Sequence, residues 1–186
     1  MSTMKKYKSV QSSEVTITEL MIPAYANFGG KVHGGILLSL MDKVAYVCAS
    51  KFSEGYCVTV AVEGVEFREP VEVGDLVSLK ASINYVGKTT MIVGIRVEAL
   101  HPQSGAIRHT SSCYFTMAAK DDRGELQETP GLILETKTQL RRFCEGQTIR
   151  KLSLEKRKML KGDLMDLSFE ELKKMLDGER VQCTVS

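Results

Sequence analysis

The feature that most constrains the fold is an apolar run that begins at Gly34 and continues to about Lys51, GGILLSLMDKVAYVCASK. A run of this length is too long for an ordinary strand and favours a helix. Apolar residues would lie on nearly every side of that helix, so we expect other parts of the chain to enclose it. Asp42 and Lys43 interrupt the run, which is also shorter than a membrane-spanning helix requires.

Strand-like segments surround this helix in the sequence. Residues 14–22 precede it, alternate in polarity and are rich in β-branched types, and a glycine-containing loop follows them. The segments after the helix that read as strands are residues 57–67, 76–86, 89–100 and 106–119. Because the turns between the later segments are short, neighbouring strands must be antiparallel. We therefore predict an α+β fold in which an antiparallel sheet wraps around a central helix.

Composition excludes several classes of function. At 186 residues, 43% hydrophobic and 26% charged, the chain is typical of a globular protein with one domain and a possible appendage. The net charge is +2 and no stripe of Lys and Arg is interleaved with aromatic residues. Trp is absent and aromatic residues make up 6%, which makes a base-stacking platform unlikely. We expect no nucleic-acid partner.

The cysteines and the N-terminus indicate a compartment. The five cysteines are an odd number without the spacing of metal ligands, which favours a reducing cytosol and predicts no metal site. Residues 1–20 contain lysines but no apolar core of signal-peptide length. We expect a cytoplasmic protein with no membrane span.

The charge composition of the chain changes near residue 136. Residues 136–186 contain twelve Lys and Arg against eight Asp and Glu, a net charge of +4, whereas residues 1–135 carry −2. The extension is predicted to form two short amphipathic helices, with Ser168 and Glu171 as a capping pair and Gly178 as a stop signal. We interpret 1–135 as one domain and 136–186 as a charged extension that is a solvated tail or a docking segment for a partner or a membrane.

Two adjacent glycines, Gly34 and Gly35, place bare backbone at the start of the long helix. The N–H groups there lack helical partners and the helix dipole is positive, so the position can receive a carbonyl that becomes an oxyanion, or a phosphate. The alternative is that the glycines only allow close packing against the sheet.

Asp42 lies seven residues after Gly35, on nearly the same helix face and about 10 Å farther along the axis. One small reacting group cannot touch both within a single helix. A twofold axis between two antiparallel helices would bring the helix start of one copy to the carboxylate of another, which predicts a composite dimer site. The alternative is a carboxylate that pairs with Lys43, Lys51 or a backbone N–H, or that meets solvent.

The loop before the helix holds two more polar candidates. The Asn27 amide could donate to a carbonyl or hold a water molecule, although loop asparagines more often stabilise turns. His33 could be a base, but a role as a helix cap is the stronger expectation.

Three motifs follow one another along the chain. The first is the helix-entry pattern N-x-x-G-x-V-H-G-G-x-L-L-x-L-M-D, which spans Asn27 to Asp42. The other two lie within residues 65–93, as the F-x-x-P-V-x-V-G-D strand turn and the V-G-K-T hairpin. Together they resemble hotdog-fold acyl-CoA thioesterases, closest to the brain acyl-CoA hydrolase group and its small bacterial relatives, and the resemblance covers roughly residues 14–120.

This resemblance implies a homodimer with sheets joined edge to edge, often assembled as a homohexamer, and a site at the dimer interface. It implies that Asp42 is the general base or nucleophile, that Asn27 positions water or substrate, and that Gly34 or Gly35 polarises the thioester carbonyl. The resemblance further implies that Lys88, with its neighbours Thr89 and Thr90, contacts coenzyme A.

Arg68 follows a strand near the same edge as that hairpin and is a weaker candidate for a coenzyme A contact. The alternatives are a solvated lysine in a tight turn, and an Arg68 that only pairs with Glu66 or Glu69.

The implied reaction is hydrolysis of acyl-CoA to a carboxylic acid and CoA, with no cofactor beyond the CoA of the substrate. A hotdog protein that binds acyl-CoA without hydrolysing it is the main alternative. A dehydratase is less consistent, because His33 and Asp42 are nine residues apart.

Overall fold

The computed structural model describes residues 7–164 and 166–185, so part of the N-terminal segment examined for an export signal lies outside the described residues. It confirms the α+β class. The strands are β1 (Tyr7–Ser9), β2 (Val15–Leu20), β3 (Tyr56–Phe67), β4 (Leu76–Val86), β5 (Thr90–Leu100), β6 (Ile107–Lys120) and β7 (Gly131–Ile133). The helices are α1 (Gly34–Ser53), α2 (Lys137–Lys158) and α3 (Phe169–Lys174).

A five-stranded antiparallel sheet carries the fold, in the order β2-β4-β5-β6-β3. Each of the five strands expected from the sequence is present within two residues of its predicted bounds. The short strands β1 and β7 form a separate parallel pair. Because β3 is one edge and β4 lies beside the other edge, the connection 68–75 must cross from one side of the sheet to the other.

The central helix packs on one face of this sheet. Its buried side chains meet the buried residues of β3, β4, β5 and β6 and the partly buried Val15 and Ile17 of β2. The helix residues in this core include Leu37, Met41, Val44, Cys48 and Phe52. The expectation that the helix is enclosed on all sides is wrong for the single chain. Leu38, Tyr46 and Val47 are each about two-fifths exposed, and Asp42 lies on the same open face.

The crossing connection is anchored by a buried ion pair. Asp75 is fully buried, and its Oδ2 accepts hydrogen bonds from Arg108 Nη2 at 2.6 Å and from the Glu72 N–H at 3.0 Å. The Val71 carbonyl in turn accepts from the Val32 N–H at 2.9 Å. The anchor therefore also holds the loop that leads into α1.

The C-terminal part begins with a longer helix than the sequence suggested. The expectation of two short helices is wrong for the first of them, because α2 has 22 residues and continues as a five-residue π-helical turn, Met159–Asp163. The capping pair of Ser168 and Glu171 is confirmed as a reciprocal capping box. Helix α3 ends at Lys174, four residues before Gly178.

The chain divides into two compact units, Met1–Gln147 and Thr148–Ser186. Within the first unit, the start of α2 packs on the sheet, where the Phe143 ring lies 5.2 Å from that of Tyr85. The boundary predicted at residue 136 stays a prediction. None of the helices in the described residues is long and apolar enough to cross a membrane.

Candidate active site

The loop 26–32 is a tight hairpin closed by an Ala26–Val32 bridge. Asn27 Oδ1 accepts hydrogen bonds from the Gly29 N–H at 2.9 Å and the Lys31 N–H at 3.1 Å. The turn-stabilising role of Asn27 is therefore present. Its amide nitrogen donates to no atom in the described part of the chain, which leaves that group available to a ligand.

The helix start distinguishes the two candidate glycines. His33 is the N-cap of α1, and its Nδ1 accepts a 2.8 Å hydrogen bond from the Gly35 N–H. A Cβ on Gly35 would lie 2.9 Å from that nitrogen, which explains a glycine there. The Gly34 N–H makes no hydrogen bond to the residues that the structure describes. The Gly34 N–H is thus available to a ligand, whereas the Gly35 N–H serves the cap that was expected of His33.

These groups share one open depression of about 750 Å³. Its lining consists of Ala26, Asn27, Phe28, Gly29, His33 and Gly34. Phe28 is fully exposed at the tip of the hairpin. The Asn27 amide and the Gly34 N–H therefore face the same solvent-accessible space.

Asp42 is held by a residue that the sequence analysis did not single out. Thr59, on the edge strand β3, donates a 2.6 Å hydrogen bond from Oγ1 to Asp42 Oδ1. Asp42 forms no ion pair among the described residues, and Lys51 instead donates to the Glu14 carbonyl at 2.9 Å. The Asp42 side chain is exposed in the single chain, as in the solvent-facing alternative considered for it.

Asp42 and the depression do not meet within one chain. Gly34 and Asp42 are eight residues apart on α1, which corresponds to about 12 Å along the helix axis. Leu38 lies midway between them on the open face. A small substrate that contacts both groups needs a second copy of the helix.

The hairpin between β4 and β5 carries the proposed coenzyme A contacts. Lys88 is about four-fifths exposed, with its Nζ 3.5 Å from Glu128. The Lys88 carbonyl accepts from the Thr129 N–H at 2.9 Å, and the Thr89 carbonyl accepts from the Ala119 N–H at 3.1 Å. The turn is therefore fixed while its lysine extends into solvent, and Thr90 begins β5.

Arg68 lies elsewhere. Its Nε and Nη2 both donate to Glu66 Oε2, at 2.9 and 2.7 Å, which is the surface pair considered as its alternative. The Arg68 backbone N–H donates a hydrogen bond to the Thr110 carbonyl of β6, whereas Thr90 at the hairpin pairs with Ala118 of the same strand. Those two positions on β6 are about 26 Å apart. The expectation that Arg68 lies near the hairpin is wrong within one chain.

Cys48 and Cys113 are not reactive thiols. Burial raises the pKa of the Cys48 and Cys113 thiols to about 12, so both stay protonated at neutral pH. Within residues 7–164 and 166–185, no group of three or more His, Cys, Asp or Glu side chains is arranged to hold a metal ion.

Comparison with known proteins places this geometry among thioesterases. Residues 29–106 match the family described as the thioesterase superfamily. Protein VdlD of Helicobacter pylori is 42% identical over 139 residues, which cover 75% of this chain and 79% of VdlD. Mouse acyl-coenzyme A thioesterase 11 is 30% identical, and the match covers 79% of this chain but 25% of that longer protein.

Solved structures share the architecture. A hexameric thioesterase from Yersinia pestis is 33% identical, with 62% of this chain and 93% of that chain covered and a TM-score of 0.59. An acyl-CoA hydrolase from Staphylococcus aureus, solved with butyryl coenzyme A and coenzyme A, is 22% identical, with 86% and 97% covered and a TM-score of 0.79. At that identity the second likeness speaks for the fold alone.

Proposed function

Because this chain belongs to the thioesterase superfamily, we propose that it hydrolyses acyl-CoA thioesters to a carboxylic acid and free CoA. The family follows from the matched domain and from the Yersinia pestis thioesterase, of which the alignment covers 93%. Several relatives act on acyl-CoA by name, which supports the same substrate class here. The observation that carries the proposal is the hydrogen bond that fixes Asp42 to Thr59.

The spacing of three polar residues supports this assignment. Alanine variants of the Staphylococcus aureus acyl-CoA hydrolase have been solved for an asparagine, an aspartate and a threonine that follow one another by 15 and 17 residues. Asn27, Asp42 and Thr59 follow one another by the same intervals. We assign them to one catalytic set, with Thr59 as the residue that orients the carboxylate.

In the proposed reaction, the Gly34 N–H donates to the thioester oxygen as negative charge develops on it. Thr59 occupies Oδ1 of Asp42, which leaves Oδ2 to accept a proton from the attacking water. The water oxygen bonds to the carbonyl carbon, the C–S bond breaks, and the CoA thiolate takes up a proton. The Asn27 amide nitrogen holds the water or the substrate carbonyl. A carboxylate that attacks the carbonyl directly is the alternative within the same site.

The site requires at least a homodimer, because Gly34 and Asp42 of one helix are too far apart to share a thioester. Helices packed antiparallel about a twofold axis would join Asn27 and Gly34 of one copy to Asp42 and Thr59 of the other. Hexameric relatives support a homohexamer as the full assembly.

The CoA moiety is assigned to the hairpin of Lys88, Thr89 and Thr90. The exposed lysine supplies a mobile positive charge for phosphate, and the threonines supply hydroxyl donors. To contact coenzyme A at this hairpin, Arg68 would have to come from another copy and break its ion pair with Glu66. We propose that no cofactor is required beyond the CoA of the substrate. A cytoplasmic location is supported by cytosolic relatives of 26% identity.

Release of free thiol from a panel of acyl-CoAs of increasing chain length tests the proposal. The wild type should turn over at least one member, and Asp42→Asn should lower kcat by roughly 100- to 10,000-fold, the usual contribution of a general base. Asp177→Asn, which removes an exposed carboxylate in the second unit, is the matched control and should leave kcat unchanged. Binding of acyl-CoA by the wild type without thiol release would instead identify a carrier or sensor.

A further inference from the structure

The start of the second unit is strongly basic. In residues 148–161, the basic segment, a single acid, Glu155, stands among six cations. The cations are Arg150, Lys151, Lys156, Arg157, Lys158 and Lys161. The catalytic proposal uses none of them.

Four of the six cations have no acidic partner among the side chains that the structure describes. Lys151 lies 4.0 Å from Glu155, one helical turn away. Lys156, Arg157, Lys158 and Lys161 form no ion pair with any acid whose side chain the structure describes. All four are exposed. The basic segment therefore presents an excess of positive charge to its surroundings.

Apolar side chains accompany the cations on the same helix. Leu152, Met159 and Leu160 are 58%, 58% and 52% exposed. Leu152 and Met159 are seven residues apart, a spacing that returns to one side of a helix, and Lys156 lies on that same side between them. The segment thus intermixes exposed aliphatic side chains with exposed cations.

The combination of exposed cations and exposed aliphatic side chains distinguishes among possible partners. A nucleic acid would use the cations but not the aliphatic side chains, and residues 148–168 contain no aromatic residue on which a base could stack. Residues 162–186 hold six acids against three cations, so a second copy could neutralise the charge. Such a contact would still leave a net positive charge, because residues 148–186 of each copy contain nine cations against seven acids. An anionic bilayer surface accommodates both the cations and the aliphatic side chains.

We propose that the basic segment docks on the surface of an anionic phospholipid bilayer. The cations attract the lipid headgroups, and the leucine and methionine side chains enter the boundary between headgroups and acyl chains. The segment lies on the membrane and does not cross it. This inference does not depend on the identity of the thioester substrate.

Co-sedimentation of the full-length protein with vesicles tests the proposal. Vesicles of phosphatidylcholine that contain phosphatidylglycerol should bind the protein, and vesicles of phosphatidylcholine alone should not. The variant K156Q/R157Q/K158Q/K161Q should bind the anionic vesicles at least about tenfold more weakly. The control K137Q/K173Q/K174Q/R180Q removes the same number of charges elsewhere and should bind as the wild type does. The variant L152S/M159S/L160S should also weaken binding, although its charge is unchanged.

Several outcomes would overturn the inference. One is equal binding of the wild type to neutral and anionic vesicles, and another is an equal loss of binding in the two charge variants. The others are tighter binding to a single-stranded oligonucleotide than to anionic vesicles, and a K156Q/R157Q/K158Q/K161Q variant whose only change is its oligomeric state. Thiol release from a short-chain acyl-CoA should be the same in all three variants. Loss of docking with retained hydrolysis therefore separates this inference from the proposed function.

Discussion

The Thr59 hydroxyl on β3 donates a 2.6 Å hydrogen bond to Oδ1 of Asp42 on α1. The contact joins the central helix to the exposed edge strand of the sheet, and it holds one carboxylate oxygen in place. In the proposed reaction the second oxygen acts on a water molecule. The carboxylate therefore has a defined orientation even though its side chain is open to solvent in the single chain.

Removal of this hydrogen bond should slow the reaction without unfolding the protein. A hydrogen bond to a charged group contributes roughly 1.5–3 kcal/mol, so Thr59→Ala should lower kcat by roughly 10- to 100-fold. Thr59→Ser keeps the hydroxyl and should retain most of the activity. Steady-state kinetics on one acyl-CoA check both variants, and equal losses in Ala and Ser would show that the hydroxyl is not what matters.

The composite site predicts which residue lies on the dimer axis. In an antiparallel pair of helices, Gly34 of one copy would face Asp42 of the other. Leu38, which lies halfway between these two positions on each helix, must then face Leu38 of the other copy. In a protein whose exposed Cys144 and Cys183 are replaced by serine, Leu38→Cys should be joined to a second chain by a short bis-maleimide.

A cysteine placed at Ile107, on an exposed part of β6 away from the helix, is the control and should not be cross-linked efficiently. Denaturing gel electrophoresis reads both outcomes. Absence of the Leu38→Cys cross-link in a protein that is dimeric by light scattering would exclude this arrangement of helices.

The buried anchor of the crossing connection should dominate stability. Asp75→Asn breaks an ion pair with Arg108 whose acid is fully buried, which should lower the free energy of unfolding by about 3 kcal/mol. Glu72→Gln breaks the partly exposed pair with Lys31 and should lower it by about 1 kcal/mol or less. Urea denaturation measures the difference, and similar losses in the two variants would contradict the importance of the anchor.

The cysteine thiols should react at different rates according to their burial. Cys144 and Cys183 are exposed, whereas Cys48, Cys57 and Cys113 are buried. Two thiols should therefore react rapidly with Ellman's reagent in the native protein, and all five after denaturation. Rapid reaction of more than two native thiols would show that the core around α1 opens readily.

The raised thiol pKa values also predict how stability depends on pH. The folded pKa of Cys48 and Cys113 is about 12, above the ordinary value of 9.0, because burial disfavours the thiolate. The folded state thus holds a proton that the unfolded state loses first. The associated stability is present below about pH 9 and is lost as the pH rises towards about 12. Unfolding free energies across that window should fall less steeply in Cys113→Ala than in the wild type.

Local pattern was enough to predict most of the fold. The alternation of β-branched residues placed every long strand, and the glycines before Ile36 placed the start of α1 at Gly34, where the structure has it. The three-residue strands β1 and β7 are too short to produce a pattern. The pairing of β3 with β6 is set by packing around the helix, which no local signal reports.

The site was only partly predictable for the same reason. Asp42 stood out because a carboxylate interrupts an apolar run, whereas Thr59 is an ordinary strand residue that only tertiary packing brings to it. His33 could be expected as a cap, but its occupation of the Gly35 N–H depends on the geometry of the helix start. The open face of α1 is likewise a property of the single chain that a predicted enclosed helix does not reveal.

Subunit complementation tests the central claim, that each site takes Asn27 and Gly34 from one copy and Asp42 from another. Asn27→Ala and Asp42→Ala are purified as inactive proteins, mixed in equal amounts, and allowed to exchange subunits after mild denaturation. If the residues come from different copies, half of the dimers are hybrids with one intact site each, and about a quarter of the wild-type rate should return. If no activity returns although hybrids are detected by mass spectrometry, each site is built from one chain and the account is wrong.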